Sequence, residues 1–287
     1  MKPPRFDFQQ PRTIEQTIEF LARPGPDVSL LAGGQSLVRL LNQRLARPDV
    51  VVDLNKVPGL DGVEITAACV RIGAMARLCS LERNGVLCDV MPVLSQAVTL
   101  VAHPQIRNRA TIGGSLCHAD PAAELPTVAV ALDARLRLRS VHGTRVENSG
   151  DFFRSAFRTS RRPEELLTDV EFPRHPGFRF RFKEISRRHG EPALVSVCLG
   201  VGLEGGIVTS ARLAAGGVAD RPIRLSAAER ALSGRRLSGN LSEVLDAASA
   251  QVEPPSDVHG TGAFRRGMLR TVVRQAVAEL TTAEDAR

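Results

Sequence analysis

Apolar and polar positions along the chain change period several times, and each change predicts an element. Thr13 followed three residues later by Gln16 forms a capping box that opens a helix, which must stop before Pro24-Gly25-Pro26. The run Val28-Ser29-Leu30-Leu31 predicts a short buried strand, apolar positions 37, 40, 41 and 45 predict a helix over 37–45 with Ser36 as its N-cap, and Val50-Val51-Val52-Asp53-Leu54 predicts a second strand. Alternation over 62–74 predicts a hairpin, 92–102 a helix, and 135–139 and 166–172 two strands. Strict alternation in Phe178-Arg179-Phe180-Arg181-Phe182-Lys183 predicts a half-buried strand, and strands near 194–203 and 207–214 follow it. Helices are then expected at 226–232, 241–250 and about 262–280. Segregated strands and helices argue for an α+β fold rather than a parallel α/β sheet. The cluster Pro173-Arg174-His175-Pro176-Gly177 marks the expected boundary between residues 1–175, made of subdomains of about 1–55 and 56–175, and residues 176–287.

Two glycine-rich segments carry the candidate chemistry: Ala32-Gly33-Gly34-Gln35-Ser36 and Thr111-Ile112-Gly113-Gly114-Ser115. Each sits where an apolar run ends. Without Cβ atoms the main chain can turn sharply and bring bare amides close to an anion, and the first segment would aim a phosphate at a helix N-terminus. Each segment alone is equally well an ordinary tight turn. Two in one chain favour a pair of jaws around one diphosphate. A third motif, Gly200-Val201-Gly202-Leu203-Glu204-Gly205, matches G-x-G-x-x-G, but Gly206-Ile207-Val208-Thr209 continues as a strand where a dinucleotide fold needs a helix. A hairpin is expected there instead.

Composition excludes several classes. The 287 residues are 43% hydrophobic, enough for real cores, and no apolar run approaches the roughly 18 to 20 residues that span a bilayer. Met1-Lys2-Pro3-Pro4-Arg5-Phe6-Asp7 lacks the apolar stretch of a signal peptide, so a cytoplasmic location is the default expectation. The five cysteines, at 69, 79, 88, 117 and 198, never form C-x-x-C, so neither a disulfide framework nor a zinc or iron–sulfur site is expected. The net charge of +7 raises the question of nucleic acid; the chain has no Trp or Tyr to stack bases, and its arginines are dispersed, so no nucleic-acid partner is expected.

The two glycine segments occur with Val52-Asp53-Leu54, with His103-Pro104-Gln105-Ile106-Arg107-Asn108-Arg109 before the second, and with His118-Ala119-Asp120-Pro121-Ala122-Ala123-Glu124-Leu125-Pro126 after it. Together with Phe182-Lys183, Arg187-Arg188-His189-Gly190 and Phe264-Arg265-Arg266, this arrangement resembles the FAD-binding medium subunit of the molybdenum hydroxylases, a family that includes the flavin domain of xanthine dehydrogenase and the carbon monoxide dehydrogenase flavoprotein. The likeness runs through nearly the whole chain. It implies a vanillyl-alcohol-oxidase (PCMH)-type FAD-binding fold of two small α+β subdomains, followed by a C-terminal α+β domain with an antiparallel sheet backed by helices.

The resemblance further implies that Ala32, Gly33, Gly34, Gln35 and Ser36 hold the FAD pyrophosphate and neighbouring flavin atoms with main-chain amides, together with Thr111, Ile112, Gly113, Gly114 and Ser115. Glu124 matches an acid that bonds the cofactor, Lys183 a lysine near the flavin, Leu167 an apolar contact, and Val101 a position beside the isoalloxazine. Read as residues alone, Glu124 is also a favourable helix-start acid and Lys183 a solvated strand residue. Relatives continue after the matching glycine of Arg187-Arg188-His189-Gly190 with Asp, an aromatic and Ala; here the residues are Glu191-Pro192-Ala193, and Pro192 cannot stack over a flavin ring.

In such complexes a large molybdopterin subunit hydroxylates the substrate, a small subunit relays electrons through [2Fe-2S] clusters, and the flavin subunit passes them on. The resemblance therefore implies an oxidoreductase component in a heterotrimer, able to pair into a dimer of heterotrimers, with FAD on this chain and the other cofactors on its partners. No side chain is expected to act as a catalytic acid or base, because the cofactor carries the redox chemistry. Two alternatives stay open: a stand-alone FAD oxidoreductase of the same fold, and a basic nucleotide-binding scaffold without redox chemistry.

Overall fold

A computed structural model describes residues 2–285; Met1, Ala286 and Arg287, at the outer ends of the expected domains, lie outside the described residues. The first unit comprises β1 (Asp7–Gln9), α1 (Ile14–Leu21), β2 (Val28–Leu31), α2 (Leu37–Asn42) and β3 (Val50–Asp53). Its three strands form a parallel sheet in the order β1-β3-β2. Thr13 opens α1 as expected, its hydroxyl accepting the Gln16 N–H at 3.1 Å, while Gln16 Oε1 accepts from the backbone of Arg12. The parallel β2-α2-β3 crossover carries the first glycine segment in its strand-to-helix corner.

The second unit runs through β4 (Val63–Ile65), β5 (Cys69–Gly73), α3 (Leu78–Arg83), α4 (Gly85–Val90), α5 (Pro92–Leu100), α6 (Pro104–Arg107), α7 (Ile112–His118) and α8 (Glu124–Ala131). It continues with β6 (Arg135–Ser140), β7 (Gly143–Asn148), α9 (Ser149–Phe152), β8 (Phe153–Ser155), β9 (Arg158–Thr159) and β10 (Leu166–Pro173). Five of these strands form an antiparallel sheet, β4-β5-β10-β6-β7. β6 is the strand expected at 135–139, while its hairpin partner β7 and the small elements before β10 lie between the two expected strands, in an arginine- and glutamate-rich stretch whose side chains pair with one another. Arg145 holds Glu165 through Nε and Nη2, at 2.6 and 2.8 Å.

The third unit is β11 (Phe178–Ile185), β12 (Val195–Glu204), β13 (Ile207–Gly216) and β14 (Ile223–Arg224), one antiparallel sheet, with α10 (Ser226–Leu232), α11 (Ser242–Ala250) and α12 (Gly262–Asp285). Val195, Val197, Leu199 and Val201 pack with the helices on one face. The opposite face is buried as well: Phe182, Cys198 and Ala214 join the core of the second unit, under α5 and α8. The G-x-G-x-x-G stretch is the expected hairpin, β12 turning into β13. Its glycines clear the strand's aromatic neighbours, since a Cβ on Gly200 would stand 2.1 Å from the Phe180 ring and one on Gly202 3.3 Å from the Phe178 ring. No helix among the described residues is long and apolar enough to cross a membrane.

Candidate functional site

Strand β2 ends at Leu31 and delivers the first glycine segment. Gly34 takes φ +77°, a conformation open to glycine at little cost, and Gln35 Nε2 donates to the Gly33 carbonyl at 3.0 Å. Ser36 leads into α2 but already has helical φ and ψ, and its hydroxyl makes no cap bond. The helix is shorter than its apolar spacing suggests, because Arg44 turns to φ 60° and leaves Leu45 exposed. Among the described residues the backbone N–H groups of Gly33, Gly34, Gln35, Ser36 and Leu37 donate to no protein acceptor. A glycine loop with such a run of unpaired donors is suited to phosphate oxygens.

The second glycine segment is built differently from the bare turn expected. Thr111 is the N-cap of α7 and its Oγ1 accepts the Gly114 N–H at 3.0 Å. Ile112 N donates to Ala76 O at 3.1 Å, Gly113 N to Ala74 O at 2.8 Å, and Ser115 N to Thr111 O. Four of its five amides are therefore spent on the fold. The glycines serve close approach: a Cβ on Gly113 would stand 2.5 Å from the Ala74 Cβ, and one on Gly114 would stand 2.8 Å from the cap oxygen and 3.7 Å from the Ala32 Cβ. The two segments thus meet, and Gly33 lies against the backbone of Arg109 and Ala110, just before the cap.

A polar network fixes this junction. Asn55 Nδ2 donates to Ala32 O at 3.0 Å, and its backbone N–H donates to Asp53 Oδ1. Arg77, at the start of α3, donates to both Asn55 Oδ1 and the Arg109 carbonyl, bridging the two glycine segments. Burial pulls the Asp53 carboxyl upward, but hydrogen bonds from Gln10 and Asn55 outweigh it and hold the group below its usual range. Burial and the neighbouring Arg109 charge lower Arg77. Sequence reasoning passed over Arg77 and Asn55. Asn55 was signalled by its place two residues after Asp53, an Asx turn, whereas Arg77 is joined to the site only by tertiary packing.

Other expected residues are scattered around this junction. Val101 ends α5 half-buried; its carbonyl and that of Ala102 accept from Arg107 Nη1, while Arg107 Nε and Nη2 hold Glu82 at 2.8 and 3.0 Å. Glu82 is consequently lowered, chiefly by its bond from Arg107. Gly190 closes over the adjacent His103, where a Cβ would stand 2.6 Å from the ring. Asp120 accepts the Ala122 N–H at 2.9 Å, the turn expected of Asp before Pro. Leu167 is 3% exposed and belongs to the hydrophobic core, so its side chain is committed to packing. Lys183 turns toward α12 and donates to Glu279 at 2.7 Å, because odd positions of β11 face away from α8. Glu124 begins α8 and is buried, and burial pushes its carboxyl up to about 8, with the nearby Glu184 charge adding to the effect.

A separate open cleft of about 370 Å³ lies on the outer face of the five-stranded sheet, between Ile14 and Leu60 on one side and Arg71, Arg137 and Asp169 on the other. Its charges pair with one another, Arg71 with Glu64 and Glu171 and Arg137 with Asp169, and none of the glycine-segment residues line it.

An α+β chain of small sheets whose strand-to-helix glycine loop offers free amides against a second glycine segment has the design of a PCMH-type FAD-binding flavoprotein. Residues 4–175 match the family model of the FAD binding domain in molybdopterin dehydrogenase, and residues 180–280 match that of the CO dehydrogenase flavoprotein C-terminal domain. The chain is 40% identical over 282 residues to the 6-hydroxypseudooxynicotine dehydrogenase complex subunit alpha of Paenarthrobacter nicotinovorans, covering 97% of this chain and 95% of the relative. It is 34% identical to the glyceraldehyde dehydrogenase medium chain of Sulfolobus acidocaldarius, over 98% of this chain and 100% of that one. Among solved structures, carbon monoxide dehydrogenase from Hydrogenophaga pseudoflava superposes with a TM-score of 0.94 at 31% identity, over 97% of this chain and 98% of the other. The chain belongs to the FAD-binding flavoprotein subunits of the molybdopterin/xanthine dehydrogenase family, together with the medium subunits of carbon monoxide dehydrogenase.

Proposed function

We propose that this chain is the electron-transfer subunit of a heterotrimeric molybdenum hydroxylase, taking electrons from a small [2Fe-2S] subunit and passing them to an external acceptor. The large molybdopterin subunit would hydroxylate the substrate, and the trimer would pair into a dimer of heterotrimers in the cytoplasm. The observation that carries the reading is the row of unpartnered amides from Gly33 to Leu37, set against Arg109 and the α7 start. A diphosphate fits such a cradle, and the family match names FAD as the group that brings one.

In this reading Gly33, Gly34, Gln35 and Ser36 hold phosphate oxygens with their backbone N–H groups, and Ala32 and Gly114 form the narrow floor between the jaws. Thr111 keeps Gly114 in place, Ile112 and Gly113 anchor α7 to β5 and the residues after it, and Ser115 offers a hydroxyl at the rim. Val101, stiffened through Arg107 and Glu82, forms an apolar wall beside the ring, with Leu167 packed beneath it in the core. Glu124 supplies a polar contact. Lys183 acts at a distance by tying β11 to α12. FAD, when bound, supplies a centre that accepts electrons and releases them to the next carrier.

The test is direct. Purified chain is expected to be yellow, with absorption bands near roughly 370 and 450 nm, and to release FAD on denaturation. Co-expression with the genes beside its own is expected to yield a complex that carries molybdenum and iron. A folded chain that stays colourless after incubation with FAD would refute the reading.

A further inference from the structure

Glu184 is a half-buried acid, with its Oε2 out of solvent, that the reading above leaves without a task. Along β11, Phe180, Phe182 and Glu184 face α5 and α8, while Arg181 and Lys183 face α12, where both meet Glu279. Glu184 is opposite Ser196 in the sheet register, and Ser196 Oγ lies 3.4 Å from Thr127 Oγ1 on α8. Glu124 sits three residues before Thr127, on the same helix face and one turn nearer the start. A Cβ on Gly216 would stand 2.4 Å from Thr127 Oγ1 and 2.7 Å from Ser196 Oγ, so the absence of a side chain there lets α8 settle onto the sheet. The two carboxyls converge along this seam.

Among the described residues their surroundings show no compensating cation. Neither Glu124 nor Glu184 has an ion pair among the described residues, and Glu184 Oε2 is buried without a hydrogen-bond partner. From the turn before α8 the facing charged group is another acid, Asp120; α5 contributes the neutral Ser95 and Gln96, and β12 the neutral Ser196. The cations of β11 point to the opposite face. Two carboxylates brought together where solvent is largely excluded, with no cation between them among the described residues, cannot both stay charged at little cost.

We propose that Glu124 and Glu184 hold one proton between them at neutral pH, and that the protonated carboxyl donates a hydrogen bond to the bound cofactor, which it can do only while the pair keeps that proton. The proposal rests on the FAD reading above. Burial raises both groups, Glu184 to about 7 and Glu124 to about 8, and the mutual charge adds to the rise in Glu124. The pair titrates as a unit, so the proton belongs to the site rather than to one residue.

FAD affinity of the full chain, followed by flavin fluorescence from about pH 6 to about pH 10, tests this. In the wild type the dissociation constant is expected to rise at least about tenfold across that range as the pair ionises. Glu184→Gln removes one charge and gives Glu124 an amide donor, so its midpoint is expected to fall by about one pH unit or more. The double variant Glu124→Gln with Glu184→Gln is expected to give a flat profile. A Glu184→Gln midpoint equal to that of the wild type overturns the proposal, because a purely structural side chain would leave it unmoved. The infrared difference spectrum of the apoprotein on alkalinisation should also lose a protonated-carboxyl band that Glu184→Gln lacks; absence of that band in the wild type overturns it too. A folded wild-type chain that binds no FAD at any pH refutes the cofactor reading itself, a result distinct from binding without the pH dependence.

Discussion

Gly33 lies so close to Arg109 that a Cβ on the glycine would stand 2.2 Å from the arginine's carbonyl oxygen. The oxygen belongs to the backbone and is also held by Arg77, so it has nowhere to retreat. Gly33→Ala must therefore push the first glycine segment away from the second. Overpacking of this kind costs about 1 to 3 kcal/mol, and the flavin-to-protein absorbance ratio after gel filtration is expected to fall about tenfold or more. Gly34→Ala meets only the Val38 and Leu31 side chains, at 3.1 and 3.3 Å, and a left-handed φ, so a smaller loss is expected. Equal flavin content in Gly33→Ala and the wild type would sink this account of the junction.

Arg77→Met keeps the stem of the side chain and removes the bridge between Asn55 and the Arg109 carbonyl. FAD affinity is expected to drop about tenfold, with Arg77→Lys recovering only part of it, because one ammonium does not reproduce the planar fork that spans both acceptors. Isothermal titration on the two variants measures this directly. Full recovery by lysine would show that charge alone, rather than the bridge, matters.

Thr111→Ala frees the Gly114 N–H and removes the cap of α7. The expected cost is about 1 kcal/mol of stability, read as a lower urea midpoint, and Thr111→Ser should restore most of it. An unchanged midpoint would mean that the bonds from Ile112 and Gly113 to Ala76 and Ala74 suffice to start the helix.

The apoprotein's stability is expected to fall as pH rises from the ordinary glutamate range to about 8. Glu124 is raised to about 8 in the fold, so the folded chain binds more protons than the unfolded one; the stabilisation is full below the ordinary glutamate range and is lost as pH climbs through about 8. Glu82 and Asp53 act in the opposite sense, being lowered in the fold, and their contribution is lost as pH falls through their depressed values. Melting temperatures of Glu124→Gln are therefore expected to exceed those of the wild type near pH 9 and to converge with them near about pH 5. A variant less stable than the wild type across that whole range would contradict the assignment.

Much of this arrangement was legible in the residues. Thr13 and Gln16 cap α1 as their spacing requires, and the hairpin after Gly200 follows from the strand residues beyond it. The β11 alternation also shows which way Lys183 points: it has the opposite parity to Phe178, Phe180 and Phe182, so it faces the other side of the sheet. What could not be read locally depends on distant partners. The amides of Ile112 and Gly113 are taken by the carbonyls of Ala76 and Ala74, 36 and 39 residues earlier in the chain. Ser36 sits at a helix start yet caps nothing, because its backbone has already entered the helical region. The need for glycine at 200 and 202 appears only when the register sets them opposite Phe180 and Phe178.

The sheet β11–β14 is a party wall: Val197 faces one core and Cys198, its neighbour in the strand, faces the other. Cutting the chain near Gly177 would leave the first part with an open hollow where Phe182 had been and the second with an uncovered apolar sheet. Neither fragment inherits a finished interior, so the flavin cradle and the C-terminal helices, though far apart in the chain, are expected to melt in one step, with loss of the helices and release of the cofactor at the same temperature.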